Sequence, residues 1–205
     1  MTRTQQGLLM LSIGVFLAIT AAYVGLVNAE DGAKGYEVAL RWTGRLAFFA
    51  FLIPFIASPL RTLVKSELSA ALVRMRRSAG IAYGGMQSVH LLIIAATIKA
   101  SETNPFDMPT LIVGGAGLGL AIVMMLTSFD VPAKMLGPKA WKMVHNSGFY
   151  VFAFVYFFDF LVKPFEVGLP PVYWPFMVLT LGAFILRFAA FMKRRREANE
   201  NLAAI

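Results

Sequence analysis

SAGIAYGGMQSVHLLIIAATI, residues 78–98, is an apolar run of 21 residues whose one imidazole is His90 and which contains no Asp, Glu, Lys or Arg. A helix of that length is about 30 Å long, the thickness of a bilayer's hydrocarbon core. The basic run RMRR (74–77) bounds it on one side and Lys99 on the other. Working outward, five further apolar runs of similar length lie at residues 7–27, 42–60, 111–127, 143–162 and 172–192. The 205 residues are 58% hydrophobic and 15% charged. Together these features predict an all-α polytopic membrane bundle of six transmembrane helices, a single transmembrane domain over 1–205 with short connections.

The apolar run at 7–27 follows Arg3 and precedes Val27-Asn28-Ala29, a loose match to a signal-peptide cleavage site. Its length of about 20 residues exceeds the 7–15 of a signal peptide's apolar region, so it reads as an uncleaved span. The chain contains no cysteine, which excludes disulfides, thiolate ligands and thiolate-held iron–sulfur clusters.

Charge sets the expected orientation. Arg3 precedes the first span; Arg61, Lys65, Arg74, Arg76 and Arg77 fall between the second and third. Lys134, Lys139 and Lys142 fall between the fourth and fifth, and Lys193, Arg194, Arg195 and Arg196 open a short basic tail, 193–205. The alternate side has Lys34, Arg41, Lys99 and Lys163 beside the acids Glu30, Asp31, Glu37, Glu102, Asp107 and Glu166. The positive-inside rule therefore predicts both termini in the cytoplasm. The formal charge of +8 becomes a topology signal and an attraction to anionic lipid. Basic residues split among short membrane-edge loops do not form a nucleic-acid surface.

Only two histidines occur, His90 and His145, each in or against a span. An ionisable group at membrane depth is costly and marks a candidate functional site, and imidazole is a common ligand of haem iron. Tyr83, Gln87 and His90 share one helical face, with Met86 a turn before His90. His145 precedes an aromatic run, FYVFAFVYFFDF (149–160), which suits a flat macrocycle as well as it suits aromatic packing or lipid contact.

Three stretches resemble the ferric-reductase-like transmembrane domain family, which includes the haem-binding membrane subunit of the bacterial methionine sulfoxide reductase system. They are WTGRLAFFAFLIPFIASPLRTL (42–63), RMRRSAGIAYGGMQSVHLL (74–92) and MMLTSFDVPAKMLGPKAWKMVHNSGFY (124–150), and the resemblance is strongest over 41–162. It implies haem b held by His90 and His145 and transmembrane electron transfer in a bacterial inner membrane. The chain would be an oxidoreductase membrane component fed by a cytosolic flavoprotein reductase or by quinol, with a redox partner on the outer side. Two departures stand out. Where the family has a second histidine on the fifth helix this chain has Phe158, and no histidine occurs early on the third, in SAGIAYG.

Depth separates the two histidines. His90 lies 13 residues beyond Arg77 and His145 three beyond Lys142, a difference of about 15 Å along helices rising 1.5 Å per residue. Two imidazoles on one iron need nearly equal heights. The sequence therefore leaves three outcomes: a separate haem at each histidine, with a methionine or Arg77 approaching an iron; one haem at His90 or His145; or no haem. The last describes a non-enzymatic membrane scaffold or accessory subunit.

The remaining polar residues in spans have plainer readings. Arg45 and Arg187 can snorkel to the interfaces, and Asp159 is placed to pair with Lys163 at i,i+4. Thr127 and Ser128 are expected to end the fourth helix. GGAGLGLA (114–121) sits inside a span with no preceding strand, so it is not a nucleotide loop; Gly115 and Gly119 predict a close helix–helix contact.

Overall fold

The computed structural model describes residues 2–29, 32–101 and 103–203. Glu30, Asp31 and Glu102 of the acidic loops lie outside the described residues. The helices are α1 (Arg3–Val27), α2 (Gly32–Leu63), α3 (Glu67–Ala100), α4 (Met108–Leu126), α5 (Asp130–Leu136) and α6 (Pro138–Phe157). A π turn (Phe158–Val162), α7 (Lys163–Glu166), a 3-10 turn (Pro171–Tyr173) and α8 (Trp174–Ala203) follow. Six segments are long and apolar enough to cross a membrane: Arg3–Val27, Lys34–Leu63, Glu67–Ala100, Met108–Leu126, Pro138–Glu166 and Pro171–Leu202. The chain is an all-α polytopic bundle.

Helix ends follow local chemistry. Thr2 and Gln5 form a capping box at the start of α1, with hydrogen bonds of 2.8 and 3.2 Å. Asp107 caps α4 by accepting from the Thr110 amide at 3.0 Å. Before α3, Ser66 and Ser69 exchange two amide-to-hydroxyl hydrogen bonds.

Several helices extend past the apolar runs. α3 begins at Glu67, so Arg74, Arg76 and Arg77 are helical rather than part of a loop. ELSAALVRMRR contains good helix formers and neither glycine nor proline, so nothing stops the helix where apolarity ends. The basic tail likewise continues α8 to Ala203. In the fifth span Pro164 has no amide to donate to Phe160, and the ladder shifts to a π turn in which the Lys163 amide reaches the Phe158 carbonyl. Asp159 and Lys163 still attract one another, but they do not form the expected ion pair within 4 Å: the π turn changes their angular offset.

The chain packs as two compact units, Met1–Phe51 with Arg77–Gly148, and Leu52–Arg76 with Phe149–Ile205. In the first, α1 buries only small residues, Gly7, Gly14, Ala18, Ala22 and Gly25. A side chain at Gly14 would run into the backbone of Ala82 on α3, so this position requires glycine for the helices to approach. Gly115 and Gly119 behave otherwise. Both are exposed and a Cβ at either meets nothing within 4 Å, which overturns the expected helix contact there. The packing seam is on α1 instead.

In the second unit, Phe160 stacks on Phe176 at 4.7 Å and Phe55 meets Phe184 edge-on at 5.8 Å. Part of the aromatic run after His145 is thus side-chain packing. Pro59 leaves the Phe55 carbonyl without its helical partner, and Arg187 Nη1 donates to that oxygen at 2.9 Å.

Candidate functional site

Both histidines belong to the first unit, and their surroundings differ in which ring nitrogen is occupied. On α2, Thr43 is fully buried, and its hydroxyl lies 2.8 Å from the Ala39 carbonyl and 2.7 Å from His90 Nδ1. The hydroxyl has one proton, and back-bonding to Ala39 uses it. With the proton so placed, Nδ1–H of His90 donates to the hydroxyl; the contact itself fixes only that Nδ1 is the nitrogen engaged. In the Nδ1–H tautomer Nε2 carries the lone pair, and Nε2 has no hydrogen-bond partner among the described residues. His90 itself is half-buried. Gly44, next to Thr43, keeps the space beside its Cε1 free: a Cβ there would sit 3.7 Å away. On α3, Met86 and Gln87 are buried a turn before His90, and the Gln87 amide nitrogen donates to the Tyr83 hydroxyl at 2.8 Å.

His145, on α6, is 8% exposed and uses the opposite nitrogen. Its Nε2 is 3.1 Å from the Thr127 hydroxyl, which donates its own proton to the Val123 carbonyl at 2.7 Å. With the hydroxyl proton on Val123, Nε2–H of His145 is the donor; in the other tautomer Nε2 accepts from the hydroxyl. Trp141 stacks on the imidazole with centroids 4.1 Å apart, and its Nε1 donates to the Thr127 carbonyl at 2.8 Å. Thr127 is the cap that ends α4, in agreement with the sequence. Trp141 and His145 therefore pin the C-terminus of α4 to α6.

Arg77 joins this neighbourhood. Its Nε donates to the Ser128 carbonyl at 2.8 Å, and its Nη2 lies 3.0 Å from an Asp130 carboxylate oxygen. That second contact is an ion pair at short range without hydrogen-bond alignment. The guanidinium ties α3 to the turn between α4 and α5, next to the cap that holds His145. His90 is 13 residues further along the unbroken α3, about 20 Å at 1.5 Å per residue. Imidazole–metal bonds are only about 2 Å. The two rings thus belong to separate sites.

Comparison with protein-family models, curated proteins and solved structures finds no match.

The fit to haem is decided by the donor atoms. Haem proteins that use histidine need an unprotonated imidazole nitrogen directed at the iron and the other nitrogen oriented by a hydrogen bond. His90 meets that description, with Nε2 bare and Nδ1 held by Thr43. At His145 the nitrogen at the tip of the ring is engaged by Thr127 instead. Among the described residues no three His, Asp or Glu side chains gather to hold a bare metal ion. Thr43 was not singled out in the sequence, although a signal exists: it follows Lys34 by nine residues, as His90 precedes Lys99 by nine. In neighbouring antiparallel spans those offsets place the two at one height. Trp141 gave no comparable signal.

Proposed function

We propose that this chain carries a b-type haem in the membrane, ligated by His90, and serves transmembrane electron transfer of the ferric-reductase-like kind. The observation that carries the reading is the His90 ring, fixed through Nδ1 by Thr43 with its Nε2 lone pair unclaimed. Haem bound there would supply one-electron transfer, with the redox chemistry belonging to the cofactor. Thr43 orients the ligand, Gly44 leaves room beside it, and Met86 and Gln87 shield it on α3. The electron donor is a separate cytosolic flavoprotein reductase or quinol, and the acceptor is a redox partner on the outer side of a bacterial inner membrane. In this reading His145 and Arg77 are structural, and the chain holds one haem.

Dithionite-minus-oxidised spectra of membranes containing the overexpressed chain test it. The wild type is expected to show a b-type α band, His90→Ala to lose it, and His145→Ala to retain it at the same amount per folded chain. A band that survives His90→Ala defeats the assignment.

A second reading, a membrane scaffold or accessory subunit without haem, is favoured by the way His145, Trp141, Thr127, Arg77 and Asp130 are consumed in holding helices together. The absence of any α band in the haem-sufficient wild type would select it.

A further inference from the structure

We propose that the second unit binds one anionic phospholipid, its phosphate held by Arg187 and Arg194 of α8 with Arg76 of α3 alongside, and its chain against the phenylalanines of α8. This inference does not depend on haem. A cavity of about 230 Å³ is lined by Phe55, Tyr150, Phe184, Arg187, Phe188, Phe191 and Arg194. Its α8 residues are spaced at three, four and seven, so one helical face interleaves three phenylalanines with the guanidinium groups of Arg187 and Arg194. Arg187 lies 4.3 Å above the Phe55 ring and 5.3 Å from the Tyr150 ring, with Nη1 bound to the Phe55 carbonyl freed by Pro59. One of its five N–H donors is thereby committed.

Arg76 is close enough to Arg187 for their charges to repel. Its Nη1 donates to Ser58 at 2.8 Å, while its Nε is buried without a hydrogen-bond partner among the described residues. Lys193 adds a fourth cation, bonded to the Thr62 carbonyl at 3.0 Å. None of these four takes part in the ion pairs of the described residues, which are Arg41–Glu37, Arg77–Asp130 and Arg196–Glu200. Like charges with unfilled donors beside an apolar wall call for an anion attached to a hydrocarbon. Arginine's planar fork matches phosphate oxygens. The height is right as well: Arg187 is five residues inside the end of the apolar run at 192, and Arg76 is two outside the one that starts at 78. Both heads can therefore meet a lipid phosphate at the interface.

Native mass spectrometry of the detergent-purified full chain, titrated with phosphatidylglycerol, phosphatidylcholine or inorganic phosphate, tests this. One phosphatidylglycerol per chain is expected to bind at least about tenfold tighter than phosphatidylcholine. Arg187→Gln and Arg194→Gln should each weaken it about tenfold, the effect of losing a charge-assisted contact. Arg196→Gln, outside the cavity, should leave it unchanged. Arg194→Gln preserves the Arg187–Phe55 hydrogen bond and stays informative if Arg187→Gln fails to fold. Equal binding of phosphatidylcholine, displacement by millimolar inorganic phosphate, or an Arg196→Gln loss as large as the others would each overturn the proposal.

Discussion

Thr43 and Thr127 perform the same local act, donating their hydroxyl proton to a carbonyl of their own helix. A histidine meets each hydroxyl, and the difference lies in which nitrogen arrives. At His90 it is Nδ1, so on the proposed haem reading Thr43→Val should keep the α band while freeing the ring. A shift of the haem's midpoint potential in a redox titration is the expected outcome, and an unchanged potential would remove Thr43 from the site. At His145 it is Nε2, and Thr127→Val removes its hydrogen bond to Thr127 beside Trp141. A loss of about 1–2 kcal/mol in reversible detergent unfolding is expected, in the upper range for interhelical hydrogen bonds in membranes. The sequence exposes both histidines as candidates because they are the only two imidazoles in the chain and each lies in or against a span. It does not show which nitrogen is occupied, since that depends on a threonine 47 residues away for His90.

Helices in this chain end where capping and proline dictate, not where apolarity does, which is why hydropathy locates six spans yet places the start of α3 too late. It also cannot tell a glycine that another helix touches from one that faces outward. Gly14 and Gly115 both sit in apolar runs, but only the first abuts backbone. Gly14→Leu should therefore separate α1 from α3, destabilising the fold by about 1–3 kcal/mol or more, as overpacking does, while Gly115→Leu leaves thermal stability in detergent nearly unaltered. Similar losses from both would show that the Gly115 face is covered in the membrane. A third element-level effect concerns Asp107, just outside the fourth span. The hydrogen bonds it accepts from Thr110 hold its carboxyl below the usual carboxylate range. A lowered folded value means the cap stabilises α4 fully above the ordinary aspartate pKa of about 3.9 and fades as pH falls through the folded value. Exchange of the Thr110 amide should accelerate at that acid end in the wild type, and Asp107→Asn should remove most of this dependence.

For the whole molecule, short connections between successive spans make the ends alternate. Along the sequence the basic residues fall in every second connection and at the termini: Arg3 on α1, Arg61 on α2, Arg74 to Arg77 on α3, Lys134 to Lys142 around α5 and α6, and Lys193 to Arg196 on α8. Part of that charge has local work in the fold. Arg77 bridges to Asp130, and Arg187 and Lys193 occupy carbonyls of α2. Charges so engaged cannot all be free to act as topology anchors, so the orientation rests on the remainder, chiefly Lys65, Arg74, Lys134, Lys139, Arg194 and Arg195. That remainder still outweighs Lys34, Arg41, Lys99 and Lys163 opposite, and predicts cytoplasmic termini. The absence of native cysteine gives a clean background for testing this. Thr103→Cys, between α3 and α4, should react with a membrane-impermeant maleimide in intact cells. Met135→Cys on α5, 83% exposed in the structure, should react only after permeabilisation. The reverse pattern would invert the bundle, placing the arginine-lined cavity of α8 in the outer leaflet and the electron donor on the opposite side from the one proposed.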